Sequence, residues 1–317
     1  MVDKARLHEE VKKVLESPGV HAVIGYADDA CGLQAVPFFA KTTADVQRLT
    51  FSAFCVNNLA MYLKNYDGSG KLGVLVKGCD CRSVIQLLTE KRITREKLLI
   101  IGIPCDGVID EKKLREKFPR IASSKEVTEK GDVYVMTVDG NTCEVPKKDL
   151  VLEKCLHCAY PTPLLYDVLL GEKKQPWGKE EYTDVTQFEK KSLEEKWQFW
   201  EGQFDRCIRC YACRNICPVC YCKECAAEQL NPQWLRRSVN LSENTVWHLT
   251  RAMHVAGRCT ECGECERVCP MNIPLMLLNK KLSKEVLDLF SFTPGVSLEE
   301  KPLLASFRPD DPEECVM

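Results

Sequence analysis

Along the first 150 residues the hydrophobic pattern alternates between a helical period and short unbroken apolar runs. Residues 7–15 carry apolar positions at helical spacing and stop at the breaker cluster Ser17-Pro18-Gly19, which predicts a first helix. Residues 21–26 (HAVIGY) and 33–40 read as strands, and residues 43–62 as an amphipathic helix capped by Thr42 or Thr43. LGVLVK at 72–77 and KLLIIGI at 97–103 are short runs rich in branched residues, as in buried strands, and residues 82–91 between them read as a helix. Strand, helix, strand in that order is a βαβ unit, so the N-terminal region is expected to be an α/β domain with a mostly parallel sheet. DVYVMTVDGNTCEV at 132–145 predicts a hairpin turning at Asp139-Gly140-Asn141.

The pattern then fades. Residues 171–192 are polar, rich in Lys and Glu and broken by Pro176 and Gly178, and read as a linker. Ser192 with Glu195 three residues on is a capping box that opens a helix over 192–204. The last stretch, 292–317, has four prolines and no period, and is expected to be an extended tail. The division expected is an α/β domain over 1–170, a linker and helix over 171–204, a small domain over 205–285 and a tail over 286–317.

Composition narrows the class. A chain of 317 residues suits about two domains. The net charge of −2, with acidic and basic residues interleaved, makes no electrostatic case for binding nucleic acid. No apolar run approaches the ~20 residues that span a bilayer. The charged, amphipathic N-terminus lacks the features of a secretory signal, so a cytoplasmic protein is expected. Twenty cysteines change the picture. A secreted disulfide scaffold would be short and would carry a signal, and in a reducing cytosol this many thiols point to metal or iron–sulfur ligation.

The stretch CIRCYACRNICPVCYCKEC begins at Cys207. Cys207, Cys210, Cys213 and Cys217-Pro218 have the spacing C-x2-C-x2-C-x3-C-P, which recurs at Cys259, Cys262, Cys265 and Cys269-Pro270. In the bacterial-type ferredoxin run, three closely spaced thiolates wrap one cubane and the fourth cysteine ligates the other cluster. One 4Fe–4S cluster is therefore expected on Cys207, Cys210, Cys213 and Cys269, and a second on Cys259, Cys262, Cys265 and Cys217. A structural zinc site uses four ligands in paired units and explains neither the third cysteine nor the proline. The insert over 219–258 is far longer than in a compact ferredoxin, and residues 244–256 within it read as a helix carrying His248 and His254. This arrangement resembles the α-helical ferredoxin domains of succinate dehydrogenase and heterodisulfide reductase iron–sulfur subunits. With all eight ligand places filled, the two histidines read as core or surface residues.

Cys79 and Cys105 each follow a predicted parallel strand, at the sheet edge where ligands bind in open α/β folds. With the C-x2-C pair Cys155 and Cys158 they make four thiolates, and a third 4Fe–4S cluster is expected on them. A dithiol or disulfide at Cys155 and Cys158 is the alternative. Cys81 is an alternative to Cys79, and His157 lies inside the pair.

The pieces VKGCDCR, IIGIPCDGVID and KCLHCAYPTPLLYDVLLGE, followed by the ferredoxin part, resemble the β-subunit family of deazaflavin (coenzyme F-420) hydrogenases and formate dehydrogenases. The resemblance implies FAD beside a 4Fe–4S cluster in the α/β domain. It also implies an electron-transfer subunit working between a formate dehydrogenase- or hydrogenase-like catalytic subunit and a heterodisulfide reductase-like flavoprotein. A deazaflavin-linked enzyme in its own right is the alternative within the family, and a zinc-binding adaptor the alternative outside it. No G-x-G-x-x-G follows the first strand, and Asp67-Gly68-Ser69-Gly70-Lys71 reads as a turn. Asn57, Lys77 and Gly78, near the strand ends, are the expected flavin contacts. No molybdopterin or nickel pattern is present, so substrate chemistry is expected in another subunit.

Cys220, Cys222 and Cys225 exceed what two clusters need. A further cluster, a zinc ion and buried free thiols all remain open for them. Cys31, Cys55, Cys143 and Cys315 are isolated and read as ordinary thiols.

Overall fold

The structure is a computed structural model that describes residues 3–29, 33–121, 127–138, 140–177 and 182–309. Cys31, Asp139 and Cys315 lie outside the described residues. The chain divides into two compact units. One comprises Met1–Ala60, Tyr66–Cys81 and Ile93–Glu181, and the other Met61–Asn65, Arg82–Arg92 and Tyr182–Met317.

The first unit is α/β. Helix α1 (Lys4–Leu15), capped by Asp3, buries Leu7, Val11 and Val14 and packs on strand β1 (Val20–Asp28). β1 pairs antiparallel with β2 (Ala35–Ala40) and β3 (Leu49–Thr50), and parallel with β4 (Lys71–Val76). β4 continues parallel to β5 (Leu98–Gly102), and β5 to the short β9 (Val168–Leu169). The sheet order β2-β1-β4-β5-β9 is thus mixed, with parallel pairing through its centre and antiparallel pairing on β1. The central strands are buried along nearly their whole length, as expected for parallel strands covered on both faces.

Three local readings need correction, and a fourth, the hairpin, is borne out and extended. The helix expected over 43–62 is reduced to the single turn α2 (Thr43–Val46), closed by a Thr42–Asp45 capping box, and a short 3-10 turn over Leu59–Tyr62. Beyond it Leu49 pairs with β1, and the carbonyls of Ala53 and Phe54 accept from the amides of Ile109 and Ala35 rather than from a helical turn. Burial of Ala53, Phe54, Cys55 and Val56 in succession rules out an amphipathic face. The helix expected from residue 82 begins four residues earlier, as α3 (Gly78–Thr89), so Cys79 and Cys81 sit in its first turn. The hairpin is found as β7 (Val133–Val138) and β8 (Asn141–Pro146), but a third strand, β6 (Val127–Lys130), joins it. Lastly, α6 (Thr183–Glu189) lies within the stretch read as a linker. Helices α4 (Glu111–Lys117) and α5 (Glu153–Leu156) complete the first unit.

The second unit is helical. Ser192 and Glu195 form the expected capping box on α7 (Leu193–Asp205). Two single-turn helices, α8 (Ala212–Asn215) and α10 (Glu264–Arg267), lie within the two cysteine runs, each carrying the run's third cysteine. Between them stands α9 (Leu241–Val255), capped by Asn240, and after them α11 (Leu275–Phe290). The α9 helix packs on both α7 and α11. Phe188, Phe199, Trp200, Phe204 and His248 form a chain of ring contacts, with Phe204 and His248 stacked at 4.8 Å. Among the described residues no helix is long and apolar enough to cross a membrane.

Candidate metal centres and the cavity at the sheet edge

The two cysteine runs fold alike. In the first, Arg209 and Tyr211 have φ of 53° and 59°; in the second, Glu261 and Gly263 have φ of 56° and 69°. These residues flank the second cysteine of each run, one on either side. Left-handed residues between right-handed ones turn successive amides inward as an anion-binding nest. The Arg209 amide donates to Cys207 Sγ at 3.4 Å, and the Ile273 amide to Cys269 Sγ at 3.5 Å. Asn279 Nδ2 donates to Cys265 Sγ at 3.5 Å.

The runs also interlock. Burial pushes the Cys207 thiol up, and the charges of Cys269 and Cys210 push it further. Burial raises Cys213 too, with Arg251 opposing and Cys207, Cys210 and Cys269 adding. Cys259 is raised by burial and by Cys265, with Cys217 contributing. Cys265 is pushed up to about 12, first by burial, with Arg251 opposing and Cys217 and Cys213 adding. Each run's fourth cysteine thus acts on the other run's thiols. Buried thiols side by side resist ionisation unless a metal balances their charge, so this donor set fits the expected clusters.

The third group assembles in the α/β unit. Burial pushes Cys79 up to about 12, with Cys158 among the charges that add to it. Cys105 lies well above the usual thiol value, through burial and then Cys155, with Cys79 contributing. The segment Tyr160-Pro161 lies against both strand ends. The Cys105 amide donates to the Pro161 carbonyl at 2.9 Å, and a Cβ on Gly78 would lie 1.6 Å from the Tyr160 carbonyl oxygen. Cys81 takes no part in this group. It is fully buried, its Sγ accepting from the Leu165 amide at 3.1 Å. His157 Nε2 lies 3.5 Å from Glu153 Oε1. Among the described residues no three His, Cys, Asp or Glu side chains close on a point that a single metal ion could occupy. At a Zn–S distance of about 2.3 Å one ion would draw its thiolates almost into contact, whereas a cubane spreads them.

Lys77 is 1% exposed, and its Nζ donates to Asp80 Oδ2 at 2.8 Å, to the Asn57 carbonyl at 2.9 Å and to Tyr26 Oη. Burial opposes its charge, but Asp80 and then Cys79 outweigh burial and hold it above the ordinary amine value. A cavity of ≈ 380 Å3 opens at the carboxyl edge of β5, lined by Cys105, Asp106, Phe51, Ser52, Arg6 and Lys174 among others. Asn57, Lys77 and Gly78 do not line it; Lys77 and Gly78 are buried at the neighbouring strand end, and Asn57 beside them is half-buried.

Of the remaining cysteines, Cys220, Cys222 and Cys225 line a second cavity of ≈ 240 Å3 together with His254 and Arg214. Cys220 hydrogen-bonds Cys217, which lowers Cys217 and raises Cys220. Cys55 is buried and pushed up to about 12, and Cys143 is exposed. His248 is 2% exposed and lowered to about 4 by burial and then by Arg251 and Arg209. Sequence reasoning missed the buried cations of the second unit. Lys64 Nζ donates to the carbonyls of Asn215 and Cys217, and Arg251 Nη2 to that of Cys213. The available signal was the stripe Asn244, His248, Arg251 on α9, polar residues at a helical period on the buried face.

Residues 203–273 match the family model described as a 4Fe-4S dicluster domain. The F420-dependent formate dehydrogenase subunit beta of Methanocaldococcus jannaschii is 23% identical over 92% of this chain and 92% of its own length. That of formate dehydrogenase 1 from Methanococcus maripaludis is 25% identical over 94% of this chain and 92% of its own. A polyferredoxin, MvhB, from Methanothermus fervidus is 29% identical over 26% of this chain and 24% of its own. Among solved structures, a chain of the F420-reducing [NiFe] hydrogenase complex of Methanosarcina barkeri matches 50% of this chain and 58% of its own, with a TM-score of 0.39 and 16% identity. Over nine-tenths of its length the chain therefore resembles the beta subunits of F420-dependent formate dehydrogenases, with a 4Fe–4S dicluster match at the two interlocked cysteine runs.

Proposed function

We propose that the chain is an iron–sulfur flavoprotein subunit of a multisubunit oxidoreductase, relaying electrons while a partner subunit performs the substrate chemistry. The observation that carries this reading is the interlocking of the two runs, in which Cys207 and Cys213 of the first pack in one cluster with Cys265 and Cys269 of the second, and Cys217 of the first acts in turn on Cys259 and Cys265. Cys207, Cys210, Cys213 and Cys269 would hold one 4Fe–4S cluster, and Cys259, Cys262, Cys265 and Cys217 a second. Cys79, Cys105, Cys155 and Cys158 would hold a third, with FAD in the cavity beside Cys105. Bound there, these groups supply exchange between two-electron and one-electron transfer. The chain's residues contribute the inward amides of the two nests, the buried positive charge of Lys77 near Cys79 and Cys105, and the cationic cavity residues Arg6 and Lys174. The partners proposed are a formate dehydrogenase- or hydrogenase-like catalytic subunit and a heterodisulfide reductase-like flavoprotein, in the cytoplasm.

The names of the two long relatives favour a second reading, in which this chain delivers its electrons to a soluble deazaflavin. Anaerobic purification of the native complex tests both. Iron, labile sulfide and acid-released flavin are measured, copurifying subunits are identified, and deazaflavin turnover by the chain is assayed. Iron for three clusters with one flavin and a catalytic partner supports the relay, and deazaflavin turnover by the isolated chain supports the second reading. Absence of flavin leaves a plain electron relay, and bound zinc without iron overturns both.

A further inference from the structure

The long insert between the cysteine runs buries a positive charge among the cysteines. Arg251, on α9, is 5% exposed, and one of its nitrogens, Nη2, donates to the Cys213 carbonyl at 3.1 Å. Its Nε is buried without a hydrogen-bond partner. Cys213 and Cys265, one from each run, pack in a single buried cluster, and the groups whose negative charge would favour the guanidinium most are Cys265, Cys217, Cys213 and Cys220, none of them a carboxylate. A guanidinium stays ionised in any protein environment, so its burial is tolerable only where negative charge surrounds it. Cys213 comes from one proposed ligand set, and Cys217 and Cys265 from the other.

We propose that Arg251 is a positioning charge for both proposed clusters of the helical unit, raising the reduction potentials of the two together. This rests on reading the eight cysteines of the two runs as ligands of two 4Fe–4S clusters. Gain of one electron at either set, drawn from the donor in a titration, adds negative charge beside a fixed positive one and is favoured by it. The insert is then the device that delivers this charge. It carries α9 between the runs, and Asn244 ties the helix down by donating to the Phe204 and Cys207 carbonyls, each at 2.9 Å.

The test uses the full chain purified anaerobically as wild type, Arg251→Gln and Arg251→Lys. Iron and labile sulfide are measured for each, followed by redox titrations monitored by electron paramagnetic resonance and reduced with dithionite. With iron retained in Arg251→Gln, both couples should become harder to reduce by about tenfold, which for a one-electron couple is about 59 mV. Arg251→Lys, which keeps the charge, should recover most of that shift. Iron lost from Arg251→Gln but kept in Arg251→Lys at near wild-type potentials also supports the proposal. Unchanged potentials in Arg251→Gln with iron retained overturn it. So does loss of iron from both variants, which would mark a packing role. Wild-type protein without iron overturns the underlying ligand assignment instead.

Discussion

The guanidinium of Arg258 forks onto the carboxylate of Glu90, Nε to Oε1 at 2.6 Å and Nη2 to Oε2 at 2.9 Å. Tyr221 Oη donates to the same carboxylate at 2.6 Å, and the Arg258 guanidinium lies over the Tyr221 ring. Glu90 directly follows α3, Tyr221 lies among the unassigned cysteines and Arg258 immediately precedes Cys259, so one buried fork joins three separate segments of the helical unit. Removing one partner of a buried pair leaves an uncompensated charge, so Arg258→Ala should lose about 3–5 kcal/mol. Glu90→Gln, which keeps hydrogen bonding, should lose less. Burial alone would raise the Glu90 carboxyl, but Arg258 and Tyr221 outweigh it and hold it low. Its stabilisation is therefore present above the unfolded carboxylate value and disappears as pH falls through the lowered folded value. Anaerobic unfolding of both variants across that range checks the sign; equal losses for the two variants would show that charge is not what matters.

His248 should make the helical unit acid-sensitive. Its folded value is about 4 against an unfolded value of 6.5, because the ring is buried and faces Arg251 and Arg209. The unfolded chain binds the proton more readily, so stability is intact above the unfolded value and declines as pH falls from there toward 4. The full effect is about 3 kcal/mol, from about 1.36 kcal/mol for each pKa unit. His248→Phe should flatten this part of the stability profile while preserving the stack on Phe204. An unchanged slope between pH 6.5 and 4 would assign the sensitivity to other groups.

Two glycines should respond in opposite ways to alanine. Gly78→Ala would place a methyl 1.6 Å from the Tyr160 carbonyl oxygen, and because both partners are backbone, the start of α3 or the loop at Tyr160 must shift. A loss of about 3 kcal/mol or more is expected. Gly202 lies within α7, and nothing stands within 4 Å of the position a methyl would take there, so Gly202→Ala should gain about 0.5–1 kcal/mol from helix propensity. Paired melting curves decide this, and destabilisation by Gly202→Ala would mean its face is covered in solution.

Lys77→Met should damage the α/β unit far more than the paired change with Asp80→Leu. The single variant leaves Asp80, fully buried, without its ammonium partner, at a cost of about 3–5 kcal/mol, whereas removing both charges avoids that penalty. Unfolding measurements on the single and double variants complete the cycle. A double variant no better than the single one would point to the contacts of Lys77 with Tyr26 and Asn57 as the more important.

The parts of this fold that could be read in the sequence share one property: their signal is local. The runs LGVLVK and KLLIIGI became β4 and β5, Ser192 and Glu195 capped α7, and the spacing of the cysteine runs foretold their folding alike. What could not be read depends on distant partners. The stretch after Thr42 has helical spacing, yet Leu49 is claimed by β1 and the Ala53 carbonyl by Ile109. The β9 strand has only two residues and exists because β5 offers an edge. At the site, the cysteines themselves could be chosen from spacing, but the cavity beside Cys105 draws on Arg6, Phe51 and Lys174, which no sequence interval connects. The charge of Arg251 was likewise hidden, because nothing in a helical stripe says that thiols lie opposite it.

The left-handed position after the second cysteine is occupied by Gly263 in one run and by Tyr211 in the other. A non-glycine residue there carries about 1 kcal/mol or more of backbone strain, which the glycine run avoids. The tyrosine ring is held in return, edge-on to Trp247 at 5.1 Å and with the guanidinium groups of Arg209 and Arg214 at 5.5 and 5.2 Å from its centre. The two copies of the loop are therefore held differently. The glycine copy needs no side-chain support for its backbone, while the tyrosine copy is tied to α9 through Trp247, and a swap of the two residues would transplant strain into the run that now avoids it.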